Sequence, residues 1–150
     1  VCLLCLFFFS KQKLFLLLMI FFLFSLFPGE PIIAAPGDDV ILQILLDSQE
    51  DLQEQIVEWI KLDMKLFVFL YWRRKIITEH MSESFIPRVS LDQDGLKRGD
   101  VTLKIRNVSL QDEGKYSCFI PGKNFRETVQ LVVGEFALQV ELYSESLFNP

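Results

Sequence analysis

The sequence predicts an all-β sandwich behind a hydrophobic leader, on three observations. Beyond residue 30, apolar and polar side chains alternate in several short runs, which is the period of half-buried strands. Turn residues separate those runs, notably Gly95, Gly99, Gly114 and Pro121-Gly122. The third observation is that 22 of the first 27 residues are apolar, so the 51% hydrophobic content overstates what the rest of the chain carries. Overall, 15 Lys+Arg face 20 Asp+Glu, a net charge of −5. The leader holds only Lys11 and Lys13, which leaves the remainder at −7. Such an acidic surface argues against a nucleic-acid binder, which must neutralise phosphates.

Taken in order, the leader spans 1–29, a central domain 30–134 and a short tail 135–150. In the leader, Ser10-Lys11-Gln12-Lys13 precedes a 14-residue apolar run, 14–27, and Pro28-Gly29 ends it. A basic flank, a short apolar stretch and a helix breaker are the layout of a secretory signal. A bilayer-spanning helix needs roughly 20 apolar residues, so an uncleaved anchor is the alternative reading. The tail is too short and too polar to span a bilayer.

The first strand row is Val40, Leu42, Ile44 and Leu46, opened by the turn Pro36-Gly37-Asp38-Asp39. The stretch 48–64 resists the strand pattern: Ser48 with Asp51 resembles a capping box, and Leu52, Ile56, Trp59 and Ile60 share a helical face. Local pattern alone makes it a helix; the wider context makes it a strand. Val101, Leu103 and Ile105 form the next row, with Thr102, Lys104 and Arg106 turned to water. Tyr116, Cys118 and Ile120 form a third row, and Val129, Leu131 and Val133 a fourth.

Catalytic chemistry finds no support in these residues. The one histidine, His80, has no second histidine or cysteine nearby to complete a metal site or a base and nucleophile pair, and it reads as a loop residue. Asp92-Gln93-Asp94-Gly95 opens like a calcium loop, but Leu96 and the missing later glutamate reduce it to a turn. No glycine-rich phosphate cradle is present. No enzyme activity, cofactor, metal or small-molecule substrate is expected. Asn107-Val108-Ser109 is an N-glycosylation sequon, meaningful if the chain enters the secretory pathway.

Several spaced features resemble one family. Asp112-Glu113-Gly114-Lys115-Tyr116-Ser117-Cys118 is similar to the signature that enters strand F of an immunoglobulin domain, and Trp59 lies where the strand C core tryptophan belongs. With Arg88, the run 99–108, Pro36-Gly37-Asp38-Asp39 and the closing Val129–Val133 segment, the chain resembles the V-set domain of butyrophilin and myelin-oligodendrocyte glycoprotein relatives. The resemblance implies that the Tyr116 hydroxyl closes the corner before strand F, and that Arg88 pairs with Asp112 across the bottom of the sandwich. It also implies a departure. The position expected to carry the first disulfide cysteine holds Ile44, so Cys118 has no partner within the domain, and Cys2 and Cys5 fall in the leader. Loss of such a bridge typically costs about 2 to 5 kcal/mol. Burial of Ile44 against Trp59 and Leu103 would return roughly 1.5 to 3 kcal/mol.

The resemblance further implies recognition through the sheet of strands G, F, C and C′. With Val57 and Trp59 inward, Ile56, Glu58 and Ile60 point outward; with Val68 and Leu70 inward, Phe67, Phe69 and Tyr71 point outward. A slip of one residue would invert this list. Phe119 and Phe125 add two more aromatics, so the expected partner contacts are Phe67, Phe69, Tyr71, Phe119 and Phe125. Arg73-Arg74-Lys75 is expected as a solvated loop where relatives tend to have a glycine-containing turn. By implication the chain is an extracellular, immune-regulatory ligand or receptor ectodomain that binds a protein on another cell, or a second copy of itself, and modulates T-cell receptor signalling and cytokine production. A membrane enters if the leader is retained or the chain continues past residue 150. The alternatives are a small membrane-tethered structural or adhesion protein and a degenerate, disulfide-less V-set remnant.

Overall fold

The computed structural model describes residues 11–16, 18, 19, 22 and 29–134. The chain divides into two units, Val1–Glu30 and Pro31–Pro150. In the first, residues 11–16, 18, 19 and 22 are helical and exposed. Among the described residues no helix is long and apolar enough to cross a membrane. Most of the expected signal segment, with Cys2 and Cys5, and the whole tail 135–150 lie outside the described residues.

In the second unit nine strands form two sheets among the described residues: β1 (Ile32–Ala34), β2 (Val40–Leu42), β3 (Val57–Lys61), β4 (Leu66–Trp72), β5 (Lys75–Ile76), β6 (Val89–Leu91), β7 (Leu103–Ile105), β8 (Gly114–Ile120) and β9 (Phe125–Val133). One sheet runs β1-β9-β8-β3-β4-β5 and the other β2-β7-β6. All pairings are antiparallel except β1 with β9. The four alternating rows form the core: Val40, Leu42, Ile44 and Leu46, then Val101, Leu103 and Ile105, then Tyr116, Cys118 and Ile120, then Leu131 and Val133 are all buried, with Val129 half-buried against them. Alternation of period two puts every second side chain on one face, which is why these rows were legible as strands.

Trp59 fills the centre of that core, and its indole Nε1 donates to the Val101 carbonyl at 3.0 Å, joining β3 to the chain entering β7. Cys118 lies opposite Trp59 in the β3–β8 register and is a buried free thiol. Burial, with a smaller push from the Glu127 charge, raises its pKa strongly, so the thiol stays protonated and inert. Ile44 is buried in the same cluster, and its carbonyl accepts from Val101 N at 3.1 Å.

The stretch 48–64 is not helical. Leu52 anchors it as a loop: it is fully buried, and its N–H donates to the Leu96 carbonyl at 2.8 Å. Asp51 caps no helix; its Oδ1 accepts from Gln53 N at 2.9 Å, an Asx turn. Trp59 then points inward while Ile56 and Ile60 are half-buried on the opposite side, so the strand splits between its two faces the residues that a helix would put on one.

One irregularity changes which residues face out. Between β3 and β4 the register runs Trp59↔Phe69 and then Ile60↔Phe67, leaving Val68 as an extra residue in β4. A bulge of this kind puts two consecutive side chains on one side and reverses the alternation beyond it. Val68 and Phe69 are accordingly both buried, as is Tyr71. The expectation that Phe69 and Tyr71 point outward is therefore corrected, and so is the inward assignment of Leu70, which pairs with Glu58 on the outer side and is half-buried.

At the bottom of the sandwich the Arg88–Asp112 pair forms as expected. Arg88 Nη1 and Nη2 donate to the two Asp112 oxygens at 2.7 and 2.9 Å. The Asp112 side chain is only 4% exposed. Burial alone would raise its carboxyl; the Arg88 and Ser109 hydrogen bonds and the charges of Arg88 and Lys61 outweigh burial and hold it below the usual carboxylate value. The Tyr116 hydroxyl donates to the Asp112 carbonyl, closing the corner into β8. Lys61, which the sequence did not mark as a core residue, is almost fully buried and reaches Asp63 at 2.5 Å.

Candidate protein-recognition face

The outer side of the large sheet is built from pairs that stand directly opposite one another, since such pairs share a face. Register places Arg126, Phe119, Glu58 and Leu70 in one row across β9, β8, β3 and β4. The next row holds Thr128, Ser117, Ile60 and Phe67. Trp72, two residues beyond Leu70, pairs with Lys75 of β5 and is 43% exposed. Ile56, Ile60, Phe67, Leu70 and Phe119 are half-buried, each with apolar surface still open to solvent.

Charge is interleaved with this apolar stripe. The Arg126 guanidinium stacks over the Phe119 ring at 4.1 Å from its centroid, a cation–π contact on a partly desolvated surface. Burial raises the Glu58 carboxyl, and the nearby Arg126 charge only partly opposes it. This is the direction expected of a carboxylate that has lost part of its hydration to its neighbours.

Of the expected contact residues, the structure brings Phe67 and Phe119 to this face. Phe69 and Tyr71 are in the core for the reason given above, and the Tyr71 hydroxyl donates to the Gln53 carbonyl at 3.1 Å. Phe125 pairs with the buried Ile120, so it shares that residue's side and packs on the core edge rather than on the face. Leu70 and Trp72 take the places given to Phe69 and Tyr71. No local signal marks the Val68 bulge, which depends on how β3 and β4 align.

Three loops meet at the end of the sheet where β3 begins. Arg73 and Arg74 adopt φ of 49° and 63°, the left-handed pair that a two-residue hairpin between β4 and β5 requires. Arg73 lies 4.6 Å from the Trp72 ring, and Arg74 Nε donates to Glu54 at 2.6 Å. Lys123, in the turn between β8 and β9, pairs with Glu50. These ion pairs are exposed and add little stability, but they tie the loop before β3 to the two turns beside it. His80 lies exposed in a short 3-10 turn, Thr78–His80. Asp92 Oδ1 accepts from Asp94 N at 3.0 Å, an Asx turn leading into a 3-10 turn over Gly95–Arg98. Among the described residues no group of acidic, histidine and cysteine side chains is arranged to hold a metal.

A family model, the immunoglobulin V-set domain, matches residues 28–134. The chain belongs to the immunoglobulin V-set family. Among its V-set relatives, human butyrophilin subfamily 2 member A2 is 28% identical over 107 residues, covering 71% of this chain and 20% of that protein. Mouse butyrophilin-like protein 2 is 31% identical over 122 residues, 80% of this chain and 27% of the relative. Myelin-oligodendrocyte glycoprotein of Pongo abelii is 31% identical over 100 residues, 67% of this chain and 41% of the relative. The chain thus spans less than half the length of these curated relatives. The crystal structure of bovine butyrophilin superposes with a TM-score of 0.63 at 28% identity, covering 71% of this chain and 51% of that one. The human B7-H4 IgV-like domain, at 23% identity and a TM-score of 0.59, covers 71% of this chain and 92% of its own and shares the V-set fold. The chain is a butyrophilin-like V-set domain.

Proposed function

We propose that this V-set domain is a non-enzymatic recognition module that binds a protein receptor or counter-ligand on another cell through the outer side of β9, β8, β3 and β4, and thereby modulates T-cell receptor signalling and cytokine production. The leader, read as a secretory signal, delivers it to the cell exterior, either free or held at the plasma membrane. The observation that carries this reading is the gathering of Ile60, Phe67, Leu70, Trp72 and Phe119 on one sheet face. Apolar and aromatic side chains clustered on a solvent face mark an interaction surface more often than isolated ones do. On the other sheet Ile41 is also exposed, but it pairs with Lys104 rather than with another large apolar residue.

The test is binding of the multimerised chain to resting and activated T cells by flow cytometry, with cytokine release measured in parallel. Alanine at Ile60, Leu70, Trp72 and Phe119 together should abolish staining and the cytokine effect, while Ile41→Ala should leave both intact. Far-UV circular dichroism confirms that each variant is folded. A folded quadruple variant that stains and signals like the parent overturns the assignment of the face.

A further inference from the structure

The sequon at Asn107-Val108-Ser109 lies just past β7, in the smaller sheet, and the fold treats its three residues unequally. Asn107 is exposed and adopts φ of 50°, a left-handed conformation that asparagine tolerates better than most residues. Val108 is 1% exposed and belongs to the core. The backbone around it is tied down at every position. Asn107 N donates to Asp39 Oδ1 at 3.0 Å, and Arg88 Nη1 donates to the Asn107 carbonyl at 3.3 Å. Val108 N donates to the Asp38 carbonyl, and Gly37 N donates to the Val108 carbonyl, both at 2.8 Å. Ser109 N donates to Asp112 Oδ2 at 2.8 Å, and Asp112 N donates to the Ser109 carbonyl at 2.9 Å.

We infer that Asn107 is an N-glycan acceptor used only before the domain folds, and that folding itself closes the site. In the transfer, Asn107 Nδ2 forms a bond to C1 of the first sugar of a lipid-linked oligosaccharide. The C1–O bond to the lipid pyrophosphate breaks, the pyrophosphate leaves with the electron pair, and the amide nitrogen loses one proton. The transferring enzyme identifies its acceptor through the hydroxyl at Ser109 and must draw the tripeptide into its own site. In the folded domain Val108 would have to leave the core and the backbone bonds of Asn107, Val108 and Ser109 would have to break, so access requires local unfolding. Once attached, the glycan leaves from the exposed Asn107 side chain on the sheet opposite the recognition face. Occupancy is then set by a race between folding and transfer.

The inference rests on the secretory reading, and the experiment separates the two. The full chain, purified folded and also held unfolded in urea compatible with the enzyme, is offered to oligosaccharyltransferase with lipid-linked oligosaccharide, and modification is read as an endoglycosidase-sensitive mass increase. Transfer to the unfolded chain should be at least about tenfold faster, because the folded state exposes the tripeptide only by local opening. Asn107→Gly, which suits the left-handed backbone, should abolish transfer while preserving the melting temperature; Ser109→Thr should retain transfer. Equal rates for folded and unfolded chains would overturn closure by the fold, and no transfer to either would overturn the acceptor itself. Import is measured apart from this, as protease protection of the chain translated with microsomes. Unprotected chain that is nonetheless modified by the purified enzyme would overturn the secretory reading alone.

Discussion

Replacing Ile44 by cysteine should create a disulfide with Cys118 and raise stability by an amount that can be worked out beforehand. The loop closed between positions 44 and 118 holds 75 residues, for which chain entropy gives about 4.5 kcal/mol. Against this stands the loss of Ile44, only 2% exposed and fully engaged in the core. Exchanging it for the smaller cysteine removes roughly two buried carbons, about 1.5 kcal/mol. The oxidised variant should therefore be about 3 kcal/mol more stable than the parent. The reduced variant should be about 1.5 kcal/mol less stable. Because burial keeps the Cys118 thiol protonated in the native state, the bridge must form during folding. The assay is refolding in a glutathione buffer, followed by urea titration with and without reductant and a thiol count under denaturing conditions. The chain also carries Cys2 and Cys5, so the bridged variant should show two free thiols; four in the refolded, native variant would show that Ile44 does not lie across from Cys118, and the reasoning that Ile44 replaces the missing cysteine would fail.

Three further predictions concern the bridge at the bottom, the bulge and the arginine turn. Arg88→Ala leaves the Asp112 carboxylate buried without its main partner and should cost about 3 kcal/mol in urea unfolding. Since the folded Asp112 pKa is depressed, its contribution is present above the unfolded value near pH 4 and is lost as pH falls through the folded value; the parent should lose stability in that acid range and Arg88→Ala should lose less. Phe69→Ala should destabilise by about 3 to 5 kcal/mol, whereas Trp72→Ala should change stability by less than about 1 kcal/mol; the reverse order would mean the register has no bulge at Val68. Arg73→Asn combined with Arg74→Gly should raise stability by roughly 1 kcal/mol, read as a higher melting temperature, because both positions need a left-handed backbone that arginine adopts at a cost.

Much of this protein is written locally. The alternating rows ending at Leu46, Ile105, Ile120 and Val133 specify strands because a period of two needs no knowledge of the partner strand. The spacing from Asp112 to Tyr116 and Cys118 places the corner tyrosine and the buried thiol, since a tight turn followed by an extended strand fixes those positions. Arg88 could be matched to Asp112 only through the family pattern, as 24 residues separate them.

What only the tertiary structure decided lies where two segments must agree. The bulge at Val68 arises from the alignment of β3 with β4, and it turned Phe69 and Tyr71 into the core while bringing Leu70 and Trp72 to the outer side of the large sheet. The stretch 48–64 has a helical pattern that yields to strand pairing and to the burial of Leu52, because those contacts come from residues far along the chain. Lys61 is buried because β3 is central in its sheet, with β8 and β4 on either side and Asp63 within reach. In each case the sequence by itself specifies the period of a segment, and the neighbouring segment sets its phase.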